Sequence, residues 1–234
     1  MSRRLASRAT SLALCAVCVC GCASPPPPWR TARAQILDAY LHAPDPKPVL
    51  VVDIDDTLVK SGFWCSVRLL LGIRSSSFPS FPEAPECLRR LRDDWDLVLL
   101  TSRDDRFERR TLAWLDRQGF PALPVVFSRS LLATKDRREE FKSLVLADLK
   151  RRGLRISCGI GDKATDIAAY RQNGLRSILL LDGPGDPDYD ATLGRLKVGS
   201  LCRDRPWENP LELVTFRRED AWPRIAKYLI IQRS

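Results

Sequence analysis

Five short apolar runs, Val49–Val52, Leu97–Leu100, Val125–Phe127, Ile156–Ile160 and Ser177–Leu181, punctuate the middle of this chain. Within each run apolar residues follow one another directly instead of alternating with polar ones, so both faces of such a strand must be covered. Helical patterns at about 83–93, 105–118, 136–152 and 164–173 separate the later runs and supply that cover. Strands apolar on both faces, alternating with helices, indicate a parallel sheet packed on both sides. The expected fold class is therefore α/β, a doubly wound, Rossmann-like parallel sheet with five core strands. At 234 residues there is room for one such domain with a sizeable core and not for two large ones. A hydrophobic content of 44% beside 29% charged residues excludes a disordered chain as the default.

In a sheet of this kind the active crevice lies outside the carboxyl ends of the strands. That rule assigns Asp53, Asp55 and Asp56 to the rim after the first run, Thr101, Ser102 and Arg103 after the second, and Gly161, Asp162 and Asp166 after the fourth. The first set stands in the stretch VLVVDIDDTLVKSG, Val49 to Gly62, where a buried strand runs into three aspartates within four positions. Two carboxylates at ~4 Å in an effective dielectric near 20 repel by about 4 kcal/mol, so the cluster calls for a compensating cation. No GxGxxG or GxxxxGK[ST] loop is present, which weakens dinucleotide and P-loop readings. The sole histidine, His42, lies before the first run among prolines, so a phosphohistidine mechanism has no support.

Four motifs in order resemble the haloacid dehalogenase superfamily of aspartyl-nucleophile phosphatases, over about 130 residues from Val49 to Leu181. Asp53-Ile54-Asp55-Asp56-Thr57 is similar to its DxDxT motif, Thr101 to the Thr or Ser that ends its second strand, Lys142 to its motif lysine, and Gly161-Asp162 through Asp166 to GDxxxD. The resemblance implies a phosphatase with Asp53 as nucleophile, Asp55 as general acid and base, Thr101 as a donor to a phosphoryl oxygen and Lys142 as fixed positive charge. Ser102 is an alternative donor beside Thr101. It also implies Mg²⁺ held by Asp53, the backbone carbonyl of Asp55, and Asp162, with Asp166 supporting the ligands or orienting Lys142. These residue types suit the chemistry, because phosphoryl transfer is mostly positioning and charge neutralisation. An acid role for Asp55 requires surroundings that raise its pKa relative to its neighbour's.

The finer pattern, with Lys60-Ser61, Glu140-Phe141-Lys142 and Gly161 through Tyr170 to Gly174, resembles the lipin/LNS2 phosphatidate-phosphatase group. Asp56 stands where that group usually has Gly, Gly62 where Asp follows Lys-Ser, and Asp162 where Asn is common. The Asp-Asp-Thr form also resembles fungal-type phosphatidate phosphatases. A phosphate-ester substrate is expected, with an anionic membrane lipid such as phosphatidate foremost. Alternatives are a secreted acid phosphatase for nucleotides or other small esters, and a non-catalytic phosphatidate-binding module. Nucleic acid is disfavoured, since no interleaving of aromatic and basic residues suggests a strand groove. Intervals of about 40 residues between Asp55 and the second strand and between Thr101 and Lys142 leave little for a closing lid, so a minimal cap and an open site are expected. Within the first interval, Phe63 to Ile73 is apolar apart from one arginine and reads either as a lipid-touching flap or as core.

The first residues read as a leader. Arg3, Arg4 and Arg8 precede an apolar run and then small residues, the layout of a secretory signal. Val19-Cys20-Gly21-Cys22 resembles a bacterial lipobox, which implies cleavage after residue 21, lipidation of Cys22 and a proline tether from Pro25 to Pro28. An organellar transit peptide or an unprocessed helix are the alternatives. The expected division is residues 1–21 as signal, 22–48 as lipidated cysteine, tether and a short helix at 31–41, 49–185 as phosphatase core, and 186–234 as a C-terminal extension with a last helix at about 219–230. The net charge of +9 is compatible with acidic partners without choosing among them. Outside the leader, Cys65, Cys87, Cys158 and Cys202 match no zinc spacing, and a Cys65–Cys87 bridge is left open.

Overall fold

The computed structural model describes residues 26–60, 78–130, 134–181, 213–218 and 221–231. The leader with Cys22, the Phe63–Ile73 segment, Cys65 and Cys202 lie outside the described residues. The elements in chain order are β1 (Trp29–Ala32), α1 (Ala34–Leu41), β2 (Val49–Val52), α2 (Ala84–Leu91), β3 (Asp96–Asp104), a short 3₁₀ turn (Asp105–Phe107), α3 (Glu108–Arg117), β4 (Val125–Ser128), α4 (Lys135–Arg151), β5 (Ile156–Gly161), α5 (Ala164–Gln172), β6 (Arg176–Leu181), β7 (Leu213–Arg217) and α6 (Ala221–Ile231).

The strands form one seven-stranded sheet in the order β1-β4-β3-β2-β5-β6-β7. All neighbours pair in parallel except β1, which runs antiparallel to β4. The five apolar runs are the five inner strands β2 to β6. Alternate residues of one strand feed opposite cores, which is the period of two at work. Leu50, Val52, Leu97 and Leu99 pack with α2, α3 and α6 on one face. Val49, Val51, Val98 and Leu100 pack with Leu37 of α1 and with Phe141, Val145, Leu146 and Leu149 of α4, beside α5. The doubly wound α/β expectation is met.

Two differences concern the sheet's edges. The stretch read as one helix at 31–41 is split: Trp29–Ala32 pairs with β4 and only Ala34–Leu41 is helical. Arg33 sits between them at φ 56, the left-handed turn that redirects the chain. At the other edge β7 pairs with β6 from Ser177↔Leu213 to Leu181↔Arg217. No strand was expected there, because a five-residue run with arginine at its end carries little periodic signal.

The chain order makes β2 the central strand, with β3 and β5 on either side. The carboxyl ends of these three strands carry Asp53, Thr101 and Asp162. Adjacent strands in a sheet lie about 4.8 Å apart, so this order alone brings the three motifs together.

Candidate active site

Asp53 follows the last residue of β2 and donates its amide to the Ile160 carbonyl of β5 at 2.9 Å, so the sheet pairing itself holds the residue. The chain then turns tightly: the Ile54 carbonyl accepts from the Leu58 amide at 2.9 Å, and Asp56 takes φ 56. That left-handed geometry favours Gly, and Asp is among the few other residues that tolerate it. It also explains how Asp53, Asp55 and Asp56 can leave the strand in different directions.

Lys142 lies on the buried face of α4, with its ammonium 2.5 Å from Asp53 Oδ1 and 2.6 Å from Asp166 Oδ1. All three side chains are nearly inaccessible to solvent. Asp166 is held by the fold from a second side, because it is the third residue of α5 and its Oδ2 accepts from the Lys163 amide at 3.3 Å. The four-residue spacing in GDxxxD thus places Asp162 at the end of β5 and Asp166 at a helix N-terminus that needs an acceptor. Gly161 is required at that approach: a Cβ there would come within 2.7 Å of the Asp166 side chain.

Asp53, Asp162 and Asp166 each offer a carboxylate oxygen, all within 4.8 Å of one another. Burial pushes the Asp53 carboxyl up to about 7, with Lys142 opposing and Asp166 and Asp55 adding to the rise. Burial likewise raises Asp162 well above the ordinary range, against the pull of Lys163. For Lys142 burial alone would lower the pKa, yet the Asp166 and Asp53 carboxylates outweigh it and hold the ammonium charged. Buried oxygen donors crowded closely enough to resist ionisation are the donor set of a hard divalent cation. The cluster therefore fits such a metal; here Lys142 engages Asp53 and Asp166, and Lys163 engages Asp162.

Asp55 departs from expectation. Its carboxylate receives Arg103 Nη2 at 2.7 Å on Oδ1 and Arg103 Nε at 3.0 Å on Oδ2. Burial would raise its pKa, but the Arg103 charge and hydrogen bonds prevail and hold it below the usual carboxylate range. The environment expected for a proton donor is thus reversed in this state, since a guanidinium fork favours the ionised form. Thr101 is fully buried, its Oγ1 donating to Asp55 Oδ2 at 3.4 Å and accepting from the Arg103 amide at 3.2 Å. Ser102 is half-buried beside it. The β3–β4 register shifts between Leu100 and Asp104, so Thr101, Ser102 and Arg103 sit on an irregular strand end, a common device for re-aiming side chains at a site.

Four site residues had no role in the sequence reading. Arg103 stands next to the Thr-Ser pair and is legible only as a rim residue. Lys163, inside GDxxxD, donates to Asp162 Oδ2 at 2.7 Å and reaches Asp56 Oδ2 at 3.4 Å. Arg218, beyond β7, lies 3.5 Å from Asp162 Oδ2. Trp222 of α6 donates its indole N–H to the Thr57 carbonyl at 3.1 Å and so ties the C-terminal helix to the aspartate loop. Nothing in the sequence signals the last two, which come from far along the chain.

The LNS2 domain model described as "PITM 1-3, LNS2 domain" matches residues 50–179, over half of the chain and all four motifs. No curated protein matches the chain in sequence. Among solved structures, the D,D-heptose 1.7-bisphosphate phosphatase from B. bronchiseptica, complexed with magnesium and phosphate, aligns at TM-score 0.51 and 14% identity, over 79% of this chain and 99% of that one. A putative beta-phosphoglucomutase from Thermotoga maritima aligns at TM-score 0.50 and 14% identity, over 77% of this chain and 99% of that one. A chain of the Pnkp1/Rnl/Hen1 RNA repair complex aligns at TM-score 0.47 and 14% identity, over 59% of this chain, which spans only 43% of that one. With its motif residues gathered at one end of a doubly wound sheet that it shares with the first two of these solved structures, the chain belongs to the LNS2 family.

Proposed function

We propose that the protein hydrolyses a phosphate monoester in two steps on Asp53, using Mg²⁺, and that its substrate is a membrane-borne phosphate such as phosphatidate. The observation that carries the reading is Lys142, buried and bridging Asp53 and Asp166, with Asp162 in the same cluster. A buried cation beside a buried carboxylate at the carboxyl end of the central strand is an arrangement for bringing a nucleophilic carboxylate against a phosphate.

In the first step Asp53 forms a bond to phosphorus as the ester P–O bond breaks, and Asp55, which must leave the Arg103 fork to carry a proton, gives that proton to the departing oxygen. In the second, water forms the new P–O bond, its proton passes to Asp55, and Asp53 is released with inorganic phosphate. Thr101 and Lys142 hold the phosphoryl oxygens, and Lys142 also keeps Asp53 directed into the site. Asp53, the Asp55 carbonyl and Asp162 would hold Mg²⁺, which when bound neutralises the repulsion between carboxylate and phosphate. Removal of the metal by chelation is expected to abolish turnover.

The lipid preference rests on the LNS2 membership and the Lys60-Ser61 and Glu140-Phe141-Lys142 pattern. Anchoring through a lipidated Cys22, in a cell envelope, would bring the crevice to such a substrate; among the described residues no helix is long and apolar enough to cross a membrane. The test is a panel with phosphatidate in mixed micelles, nucleotides and p-nitrophenyl phosphate, run on the unmodified chain, Asp53→Asn and Asp55→Asn. Expected are phosphate release favouring phosphatidate, its loss in Asp53→Asn, and a fall of about 10²-fold or more in Asp55→Asn. Full activity in Asp53→Asn would remove the mechanism, and preference for soluble esters would remove the lipid reading alone. Phosphatidate binding without any turnover would mark a binding module instead.

A further inference from the structure

β1 runs against the other strands of the sheet. Its register with β4 pairs Trp29 with Ser128 and Ala32 with Val125, and the Pro28 carbonyl accepts from the Arg129 amide at 2.9 Å. The first residue of β1 therefore sits beside the last residue of β4. The proline run before Trp29 thus reaches the sheet at the carboxyl ends of the inner strands, the end that carries Asp53, Thr101 and Asp162. A parallel β1 would have put that entry at the opposite end. Across the sheet, β1 lies three steps from β2, about 14 Å at ~4.8 Å per step. Cys22 and Pro28 are six positions apart, so no conformation separates them by more than about 20 Å.

The same end is edged by cations. Lys60 follows β2, Arg129 follows β4, and Lys135 and Arg137 lie in the first turn of α4, all exposed. Lys135 precedes Lys142 by seven positions of helix, about 10 Å at ~1.5 Å per residue, so this turn stands well beyond the ammonium at Asp53. Asp136 and Glu140 offset part of that charge. Charge alone does not choose an end, because Arg151, Arg152 and Arg155 are exposed at the other, where Asp148 and Asp38 engage the first two. The direction of β1 does choose, since a short tether holds the end it enters nearest to whatever anchors it.

We propose that the crevice end of the sheet is the face by which the protein docks on an anionic phospholipid leaflet, through Arg129, Lys135 and Arg137 beside the entry of the tether. The inference deepens the membrane-borne substrate reading above and rests on it. A cation within a Debye length of such a leaflet adds roughly fivefold to binding, so three together amount to on the order of 10²-fold. Docking by this face turns the carboxyl end of β2 toward the phosphates of the same leaflet.

The experiment sediments the full chain with vesicles of phosphatidylcholine alone and of phosphatidylcholine mixed with phosphatidylglycerol or phosphatidate. The ratio of anionic to neutral binding cancels the contribution of an N-terminal lipid, which acts on both. The unmodified chain is compared with a rim variant carrying Arg129→Gln, Lys135→Gln and Arg137→Gln, and with a far-end variant carrying Arg151→Gln, Arg152→Gln and Arg155→Gln, with Tm measured for each. Expected are a preference for anionic vesicles that weakens with salt, a loss of that preference by on the order of 10²-fold in the rim variant, and a change under about threefold in the far-end variant. Hydrogen exchange in the vesicle-bound unmodified chain should slow around Arg129 and Lys135 and not around Arg152.

No preference for anionic vesicles, equal losses in the two variants, or exchange slowed at the far end would overturn the proposal. If the rim variant also loses Tm, Arg129→Gln alone decides: about fivefold weaker preference at unchanged Tm supports the docking face, and no change overturns it. Turnover is read separately in dispersed mixed micelles. Hydrolysis of phosphatidate there without any vesicle preference would sink this inference and leave the proposed function standing. Rim-dependent docking without turnover of any ester would remove the phosphatase reading and support the docking face.

Discussion

Asp104 ends β3 with its carboxylate accepting from both the Arg106 amide at 3.0 Å and the Arg106 Nε at 2.8 Å. Asp104 is buried while Arg106 is exposed, and the hydrogen bond from Arg106 holds the carboxyl below its ordinary value against the opposing effect of burial. A group whose pKa is depressed on folding stabilises the native state above its unfolded pKa, about 3.9, and loses that contribution as pH falls through the native value. Asp104→Asn retains a capping oxygen but no charge. Its Tm should therefore lie below that of the unmodified chain at neutral pH, and the gap should narrow as the pH falls below about 4. Parallel thermal melts across that range check the sign; a gap that widens on acidification would rule it out. The same principle separates Asp53 from Asp55. Two carboxylates in one turn are driven apart because burial, helped by the neighbouring acids, raises Asp53 against the pull of Lys142, whereas the Arg103 fork overcomes burial at Asp55.

β5 and α5 bring glycine, tyrosine and aspartate into close register. A Cβ on Gly159 would meet the Tyr170 ring at 2.6 Å, and one on Gly161 would meet Asp166 at 2.7 Å. Both changes overpack the same helix–strand contact and should destabilise by about 1–3 kcal/mol. Their functional outcomes should differ. Gly161→Ala displaces Asp166, and with it the second anchor of Lys142, so activity per folded molecule should fall by about 10-fold or more, since roughly 1.4 kcal/mol of misplacement corresponds to tenfold. Gly159→Ala pushes on a core tyrosine that bonds the Ile160 carbonyl at 3.0 Å and should retain most of its turnover at low temperature. Circular dichroism melts paired with kinetics distinguish the two; equal losses of turnover would mean that Asp166 does not govern Lys142.

The region matched by the family ends at residue 179, yet the folded molecule extends past it. α6 covers α2 and the inner-strand residues on one face, burying Ala221, Trp222, Ile225 and Leu229. Trp222 is 1% exposed and bonds the loop that carries Asp53, Asp55 and Asp56. Trp222→Phe preserves most of the ring contact but leaves the Thr57 carbonyl unpaired, for a cost of about 1–3 kcal/mol. Trp222→Ala adds a cavity and should cost about 3–5 kcal/mol. Urea unfolding measures both; a negligible effect of Trp222→Ala would mean that the C-terminal helix is not integral to the fold. Arg218 and Trp222 also join this segment to the acidic centre, so truncation ahead of β7 should impair the site as well as stability.

Much of this was readable from residue order. Strands buried on both faces carry a one-dimensional signature, so β2 to β6 and the helices between them are legible in the sequence, and the rule that crevices form at strand carboxyl ends gathers Asp53, Thr101 and Asp162. Lys142 followed from the motif pattern, and the fit of the cluster to a divalent cation from the repulsion among aspartates. The edges were harder. β1 and β7 are short and half-covered, and an edge strand is defined by its partner more than by its own periodicity. Which carboxylate faces which cation was decided only in three dimensions. Arg103 and Asp55 are 48 positions apart and Arg218 and Asp162 are 56 apart, separations over which sequence pattern says nothing about contact. Local periodicity determined the sheet and the roster of chemical groups; packing of distant segments decided their pairings, because the charge state of a carboxylate depends on what the fold brings within a few ångströms of it.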